Sequence, residues 1–198
     1  MPGTSLPIEE IRGEFLKALK GASPRILLKA PTGSGKSTGI PPMMDDAGLG
    51  GNGLIVVVQP RRMAARLLAR HVARLRGVEL GREVGYMVRF ERHISSRTRI
   101  AYVTDGVLER WLTDRPGLEG VSAVVFDEFH ERSLSGDLSL GRVLDLQEGP
   151  RPDLAVVVMS ATLEMSGLRE YMGESCRELE ACGRQYPVEI TYCLLYTS

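Results

Sequence analysis

An octet at residues 30–37, Ala-Pro-Thr-Gly-Ser-Gly-Lys-Ser, lies between an apolar run and a presumptive helix. Gly33 and Gly35 permit backbone conformations that turn several N–H groups inward, where they and the helix N-terminus can cradle phosphate oxygens. Lys36 can reach the β- and γ-phosphates, and the Ser37 hydroxyl can ligate Mg²⁺. The octet therefore predicts a phosphate-binding loop for a nucleotide. The predicted nucleotide contacts are Thr32, Gly33, Ser34, Gly35, Lys36, Ser37 and Thr38.

A pair of adjacent carboxylates, Asp127 and Glu128, follows the apolar run at 123–126. A triphosphate site needs a metal-binding carboxylate at the tip of a neighbouring strand, so Asp127 is predicted to hold Mg²⁺ with Ser37. Glu128 is predicted to orient or deprotonate the attacking water. Taken alone, the pair could be a solvent-exposed turn, and the octet, in which Ala30 replaces the usual first glycine, could be a glycine-rich turn. Their occurrence about ninety residues apart, in this order, favours a P-loop NTPase.

Short apolar runs alternate with helical patterns along the chain, which is typical of an α/β domain with a mainly parallel sheet. Strands are predicted over 25–30, 54–59, 99–104, 123–127 and 155–160, and helices over 63–76, 105–113 and 133–146. The first of these helices is predicted to be amphipathic, with an apolar face formed by Met63, Leu67, Leu68, Val72 and Leu75. Residues 55–58, 124–126 and 156–159 are apolar at every position, as expected of central strands covered by helices on both faces. Ligands should bind beyond the carboxyl ends of the strands. Residues 48–53, with four glycines, are predicted to form a flexible surface loop.

The composition is that of an ordinary globular domain: 198 residues, 43% of them hydrophobic. No apolar run is long enough for a membrane span, and the N-terminus does not resemble a secretory signal, so we expect a cytoplasmic protein without membrane partners. Cys176, Cys182 and Cys193 lack metal-ligand spacing and are predicted to be reduced thiols. The formal net charge is zero, but twelve arginines, no lysine and five acidic residues lie between Arg61 and Arg110. That local excess could meet phosphates if the fold gathers it on one face.

The segment Asp-Glu-Phe-His-Glu-Arg-Ser-Leu at 127–134 resembles motif II of the DEAH-box helicases of superfamily 2. Phe129, in place of alanine, is similar to the bacterial HrpB-type branch. Further segments match in order: the octet as motif I, 59–65 as motif Ia, 104–108 as motif Ib and 160–162 as motif III. The resemblance spans roughly residues 8–192, and five ordered motifs make it specific.

The resemblance implies that residues 1–192 form the helicase ATP-binding domain, a RecA-like P-loop NTPase domain. It implies an enzyme that binds Mg²⁺ and ATP and couples hydrolysis to movement along single-stranded RNA or DNA, with RNA favoured. The family's second RecA-like domain, which supplies arginine fingers, is expected to be absent here. Residues 183–189 look like the exit from the first domain, and 193–198 like a truncation or artefact. The isolated chain should then be weakly active or inactive.

The resemblance also assigns roles to residues. Lys36, Glu128 and His130 are implied to be catalytic, with His130 sensing the γ-phosphate and connecting it to the coupling residues Ser160, Ala161 and Thr162. Contacts to the nucleic-acid backbone, which do not read sequence, are implied for Arg61, Arg62, Thr104, Asp105 and Gly106. Without the family pattern, Ser160 and Thr162 would instead be interpreted as a helix cap.

Two other functions fit part of this pattern. A P-loop kinase acting on a small molecule would need an acceptor pocket and lid arginines, and motifs Ia, Ib and III would then be coincidences. A nucleotide-dependent binding module that does not hydrolyse its nucleotide is disfavoured because both Lys36 and Glu128 are present.

Overall fold

The structure is a computed structural model that describes residues 6–161 and 166–182. A mainly parallel β-sheet lies at its centre. Eight strands are found in these residues, in the order β4-β3-β5-β2-β6-β7-β1-β8, and only β3 and β4 pair antiparallel. The strands are β1 (Arg25–Lys29), β2 (Leu54–Gln59), β3 (Val84–Val88), β4 (Glu91–His93), β5 (Ile100–Thr104), β6 (Val121–Phe126), β7 (Ala155–Ser160) and β8 (Arg177–Glu180).

Helices cover both faces of the sheet. They are α1 (Arg12–Leu19), α2 (Lys36–Asp46), α3 (Leu49–Asn52), α4 (Arg62–Leu75), α5 (Asp105–Asp114), α6 (Leu134–Glu148) and α7 (Ser166–Tyr171), with 3-10 turns at Pro7–Glu9 and Phe129–Glu131. Alternate strand residues point to opposite faces: Ile26 packs in the core with α1, α2 and α4, whereas Leu27 packs in the core with α5 and α6. The predicted mainly parallel sheet with helices on both faces is therefore present.

The five predicted strands are all present, and β2, β6 and β7 are central. The sequence pattern does not predict β3, β4 or β8. The sequences of β4 and β8 are polar, Glu-Arg-His and Arg-Glu-Leu-Glu, because both lie at edges of the sheet. An edge strand that is exposed on its faces gives little apolar signal.

The face of α4 that packs on the sheet differs from the predicted one. The helix is present, but Met63, Leu67 and Leu75, predicted as part of its apolar face, are exposed. The buried side consists of Ala65, Ala69, Val72 and Ala73. Small side chains allow this helix to lie close to the sheet, so the larger apolar residues beside them remain in solvent.

The glycine-rich segment 48–53 is also partly helical, contrary to the prediction of a loop, because α3 lies within it. It ends at Gly53, where a Cβ atom would lie 2.9 Å from the Gly120 carbonyl oxygen. Only glycine permits this close approach of two backbones at the start of β2.

The register of the sheet brings the carboxyl ends of its central strands together. Lys29 pairs with Ser160, Gln59 with Thr104, and Val58 with Phe126. The predicted functional segments follow these ends and therefore share one edge of the sheet. None of the helices in the described part of the chain is both long and apolar enough to cross a membrane.

Candidate nucleotide and nucleic-acid site

The loop between β1 and α2 has the backbone conformation that its glycines predict. Gly33 and Gly35 have φ of 78° and 87°, in the left-handed region that favours glycine. Gly35 is also packed tightly, because a Cβ there would lie 2.7 Å from Leu6 Cδ1. Ile8 is fully buried and donates its backbone N–H to the Ser34 carbonyl at 3.2 Å. The N-terminal segment therefore supports the loop from behind, a role that no motif in its sequence indicates.

Several polar groups of this loop have no partner among the residues that the structure describes. Within the described residues, the backbone N–H groups of Gly33, Gly35, Lys36 and Ser37 donate no hydrogen bond. The Ser34 hydroxyl is buried, with the residue 1% exposed, and likewise lacks a partner. Buried polar groups are normally hydrogen-bonded, so this concentration of unsatisfied donors suits an anionic ligand.

Lys36 forms an ion pair with Glu128 across the sheet edge. Its Nζ lies 2.8 Å from Glu128 Oε1, and the lysine side chain is only 3% exposed. A buried ammonium requires a charged or polar partner, and here the carboxylate supplies it. The two residues predicted to bind phosphate and to activate water are thus in direct contact.

Asp127 is held by three groups at the end of β6. Its Oδ2 accepts a hydrogen bond from Gln59 Nε2 at 2.5 Å and its Oδ1 from the Glu128 backbone N–H at 2.9 Å. The Ser37 side chain is also near enough to interact with this carboxylate. Burial raises the pKa of the Asp127 carboxyl, and the interactions with Ser37 and Gln59 oppose that shift. Asp127 and Ser37, the predicted metal ligands, are therefore neighbours in an environment that disfavours an uncompensated negative charge.

His130 connects the acidic pair to the segment after β7. Its Nε2 lies 3.3 Å from Glu128 Oε2, and its Nδ1 accepts a hydrogen bond from the Ala161 backbone N–H at 3.4 Å. An imidazole whose Nδ1 accepts carries its proton on Nε2, and that proton can be donated to Glu128. Glu128 itself has φ of 49°, an unusual value for a residue other than glycine. Such conformations cost of order 1–3 kcal/mol and concentrate at functional sites.

Three of the five residues predicted to contact nucleic acid line one cavity. Arg62, Thr104 and Gly106 share a cavity of about 470 Å³, which we term the Thr104 cavity, with the aromatic residues Phe90 and Trp111. Phe90 is 89% exposed, and the Arg89 guanidinium lies 4.8 Å from its ring centroid. A basic and aromatic surface at this sheet edge suits a single strand of nucleic acid.

Arg61 and Asp105 are instead engaged with the segment that follows the acidic pair. Arg61 forms a two-point ion pair with Glu131, in which Nε and one terminal nitrogen each lie 3.1 Å from a carboxylate oxygen. Asp105 accepts a hydrogen bond from the Ser133 hydroxyl at 2.9 Å. Burial raises the pKa of Asp105, opposed by the Ser133 hydrogen bond. These contacts join motifs Ia and Ib to motif II.

Of the predicted coupling residues, Ser160 is buried at the end of β7 and Ala161 contacts His130. Thr162 lies outside the described residues, as do residues 183–189 and 193–198. Cys176 and Cys182 are free thiols, and Cys193 lies outside the described part of the chain.

Four contact residues of the site have no role assigned from the sequence, although three of them lie within the motif segments 59–65 and 127–134. Gln59 holds Asp127, Tyr102 donates its hydroxyl to the Ser37 carbonyl at 2.8 Å, Glu131 holds Arg61, and Ser133 holds Asp105. Gln59 could have been found, because a polar residue directly after four buried apolar ones is the same signal that identified Asp127. The pairing of Glu131 and Ser133 depends on tertiary contacts between distant segments.

A family model described as DEAD/DEAH box helicase matches residues 10–171. The chain belongs to this family. It is 44% identical over 190 residues to the ATP-dependent RNA helicase HrpB of Escherichia coli (strain K12), covering 96% of this chain and 23% of that protein. It is 40% identical over 190 residues to the probable ATP-dependent RNA helicase DHR2 of Saccharomyces cerevisiae (strain ATCC 204508 / S288c), covering 95% and 26%.

The fold agrees with the same family. A crystal structure of the E. coli DExH-box NTPase HrpB superposes with a TM-score of 0.87 at 43% identity, covering 96% of this chain and 23% of that one. The predicted DEAH-box resemblance, its HrpB-type branch and the RecA-like fold are therefore confirmed. The chain spans about a quarter of the length of these curated relatives.

Proposed function

We propose that this chain is the ATP-binding motor domain of an ATP-dependent RNA helicase that couples hydrolysis to movement along a single strand and to unwinding. RNA is favoured over DNA because the relatives are named RNA helicases. One observation carries the proposal: Lys36, Glu128 and His130 form a connected cluster, with Nζ–Oε1 at 2.8 Å and Oε2–Nε2 at 3.3 Å. The cluster lies beside a phosphate loop with unsatisfied donors.

In this proposal, ATP replaces Glu128 as the partner of Lys36. The phosphates accept hydrogen bonds from the free N–H groups of the loop and from Ser34, and Lys36 turns to the β- and γ-phosphates. Glu128, released from the lysine, orients the attacking water and accepts its proton. The neighbouring His130 reports the state of the γ-phosphate to Ala161 through the hydrogen bond at its Nδ1.

The residues at the end of β6 and the start of α2 fit Mg²⁺, because Asp127 and Ser37 offer two neighbouring hard oxygen atoms. The buried Asp127 carboxylate also lies where a cation would offset the cost of its charge. When bound, the ion would neutralise negative charge on the β- and γ-oxygens of the nucleotide. Asp127 and Ser37 would hold it, and Gln59 would keep the carboxylate oriented.

Nucleic acid would follow the Thr104 cavity, with its backbone against Arg62, Thr104 and Gly106. Arg61 would have to exchange Glu131 for a phosphate to join them. Since Glu131 lies three residues after Glu128, this exchange offers a route from strand binding to the catalytic segment. We further propose that a second RecA-like domain of the parent protein closes on this edge, because coupling requires two bodies that move relative to each other.

The site is tested with two variants of a form extended through the second domain. Lys36→Ala is expected to abolish binding of a fluorescent ATP analogue, whereas Glu128→Gln should retain binding and reduce phosphate release by at least about 10². Lys17→Ala is the matched control, because Lys17 is exposed on α1. Unchanged hydrolysis in both variants would show that the site assignment is wrong.

A further inference from the structure

A second large cavity lies at the other end of the parallel strands from the phosphate loop. It has a volume of about 940 Å³. Leu54 and Val121, the first residues of β2 and β6, line it together with Arg99, which directly precedes β5. It is therefore formed at the amino ends of central strands, a strand length away from Asp127. Nothing in the proposed nucleotide chemistry uses it.

This cavity, which we term the arginine cavity, is strongly basic. Three acidic residues in its lining, Glu83, Asp114 and Glu119, face twice as many arginines. Those arginines are Arg82, Arg92, Arg97, Arg99, Arg110 and Arg115. Two are partly neutralised, because Arg110 pairs with Asp114 at 3.1 Å and Arg99 lies 3.9 Å from Asp45.

The other four, Arg82, Arg92, Arg97 and Arg115, form no ion pair and no side-chain hydrogen bond within the described residues. All four are exposed. Most other described arginines have an acidic, carbonyl or ring partner, and the exceptions are Arg62, Arg70 and Arg177. Unpaired guanidinium groups that converge on one cavity repel each other, so the site favours a ligand with several negative charges.

The arginine cavity adjoins the Thr104 cavity. Met87, Arg110 and Trp111 line both. Helix α5 joins the two, since it begins at Asp105 beside the Thr104 cavity and ends at Asp114 beside the arginine cavity. Ten helical residues span about 15 Å. A chain that occupies the Thr104 cavity could thus extend along α5 into the arginine cavity without leaving the protein surface.

The lining chemistry favours nucleic acid over an acidic peptide. Arginine forks match phosphate oxygens with two parallel hydrogen bonds, and Trp111 offers a partly exposed indole on which a base can stack. An acidic peptide would satisfy the charge but would make no use of the indole or of the neighbouring Thr104 cavity. We propose that the arginine cavity binds backbone phosphates of the same single strand, beyond its contacts with motifs Ia and Ib. This inference rests on the proposed function, because it extends the strand path assigned there.

The test compares a short and a long single-stranded RNA on this chain, for example of about 6 and about 20 nucleotides, within the usual range of site sizes and beyond it. The double variant Arg97→Ala/Arg115→Ala should bind the short RNA as the wild type does. Its affinity for the long RNA should fall about tenfold, and the log–log salt slope should become shallower by about 0.7 for each phosphate that the variant no longer binds. The matched control is Arg70→Ala/Arg177→Ala, which removes the same charge from exposed, unpaired positions that do not line the cavity.

Each outcome decides the matter. A loss of affinity confined to the long RNA and to the cavity variant supports the proposal, with thermal unfolding and ATP-analogue binding unchanged as checks on folding. Equal losses at both lengths, an equal loss in the control, or no loss would overturn it while leaving the proposed function in place. The chain could instead bind polyglutamate in a way that depends on Arg97 and Arg115. If neither RNA displaces that polyglutamate, the ligand of the cavity would be an acidic protein. Failure of the wild type to bind either RNA would overturn both the inference and the nucleic-acid part of the proposed function.

Discussion

The edge of the sheet at the carboxyl ends of its strands carries buried polar groups, whereas the edge at the amino ends carries exposed ones. At the carboxyl ends, Lys36 and Asp127 are each 3% exposed, and each is held by a partner across the site. At the amino ends, Arg97 and Arg115 are exposed and unpaired within the described residues. Buried charges interact strongly and in a fixed geometry, whereas exposed charges are screened by salt and adapt to their ligand. The first edge suits chemistry on one bound group, and the second suits a polymer that changes position.

The largest expected effect is on the rate of ATP hydrolysis at the carboxyl ends of the strands. Of the described lysines and arginines, only Lys36 forms an ion pair with Asp127 or Glu128. Charge that develops on the transferred phosphoryl group would therefore need a further cation, and in the proposed function a second domain would supply it as arginine fingers. Such fingers are worth about 10³ to 10⁵ in rate. This chain alone should turn over ATP slower by about that factor than a form extended through the second domain, each measured with saturating single-stranded RNA.

The control for this comparison is ATP-analogue binding, which the isolated chain should retain, although weakly. RNA should stimulate only the extended form. Equal and RNA-stimulated rates in both would mean that the catalytic machinery is complete in this domain and that the two-domain account is wrong.

The contrast between the edges also explains which features can be predicted from sequence. The strands that position the nucleotide site each contain at least three consecutive buried apolar residues, as at 26–28 and 124–126, so a polar residue that follows such a run, such as Asp127, is conspicuous. The arginines of the arginine cavity lie on loops, on the polar edge strand β4 and at the end of α5, where an arginine such as Arg97 resembles any solvated arginine. The sequence also does not indicate which partner an arginine contacts. Arg61 binds Glu131 and the adjacent Arg62 lines the Thr104 cavity, but no feature of the local sequence distinguishes the two.

A second expected effect concerns the matching of charges at the nucleotide edge. Glu128→Gln leaves the buried Lys36 ammonium without its carboxylate and should lower the free energy of unfolding of the nucleotide-free chain by about 2 kcal/mol. Asp127→Asn removes a buried carboxylate whose pKa is raised, and should increase the free energy of unfolding by about 1 kcal/mol. Urea denaturation without nucleotide measures both.

The pH dependence of these variants follows from the raised pKa of Asp127. The folded chain holds the Asp127 proton more tightly than the unfolded chain, so stability falls as pH rises from about pH 4 through the folded pKa. Above that pKa the cost is constant. The advantage of Asp127→Asn over the wild type should therefore grow as pH rises from about 4 towards neutrality. Destabilisation by Asp127→Asn at neutral pH would contradict the account of this edge as one that awaits a cation.

The smallest expected effect concerns Arg61. Its side chain is 73% exposed, unlike Lys36 and Asp127, yet it is held by Glu131, unlike Arg97 and Arg115. If Arg61 exchanges this partner for a phosphate, Arg61→Ala should make the log–log salt slope for short single strands shallower by about 0.7. Glu131→Gln should do the opposite to affinity, raising it up to about fivefold, because an exposed ion pair is worth at most about 1 kcal/mol. The double variant should behave as Arg61→Ala does, since Glu131 acts only through Arg61.

Asp137→Asn is the matched control, because it frees Arg132 from a similar exposed pair at 2.9 Å that is not assigned to the strand path. Affinity that rises equally in Asp137→Asn would mean that any lost negative charge suffices, whereas a rise confined to Glu131→Gln would show that RNA and motif II compete for one guanidinium.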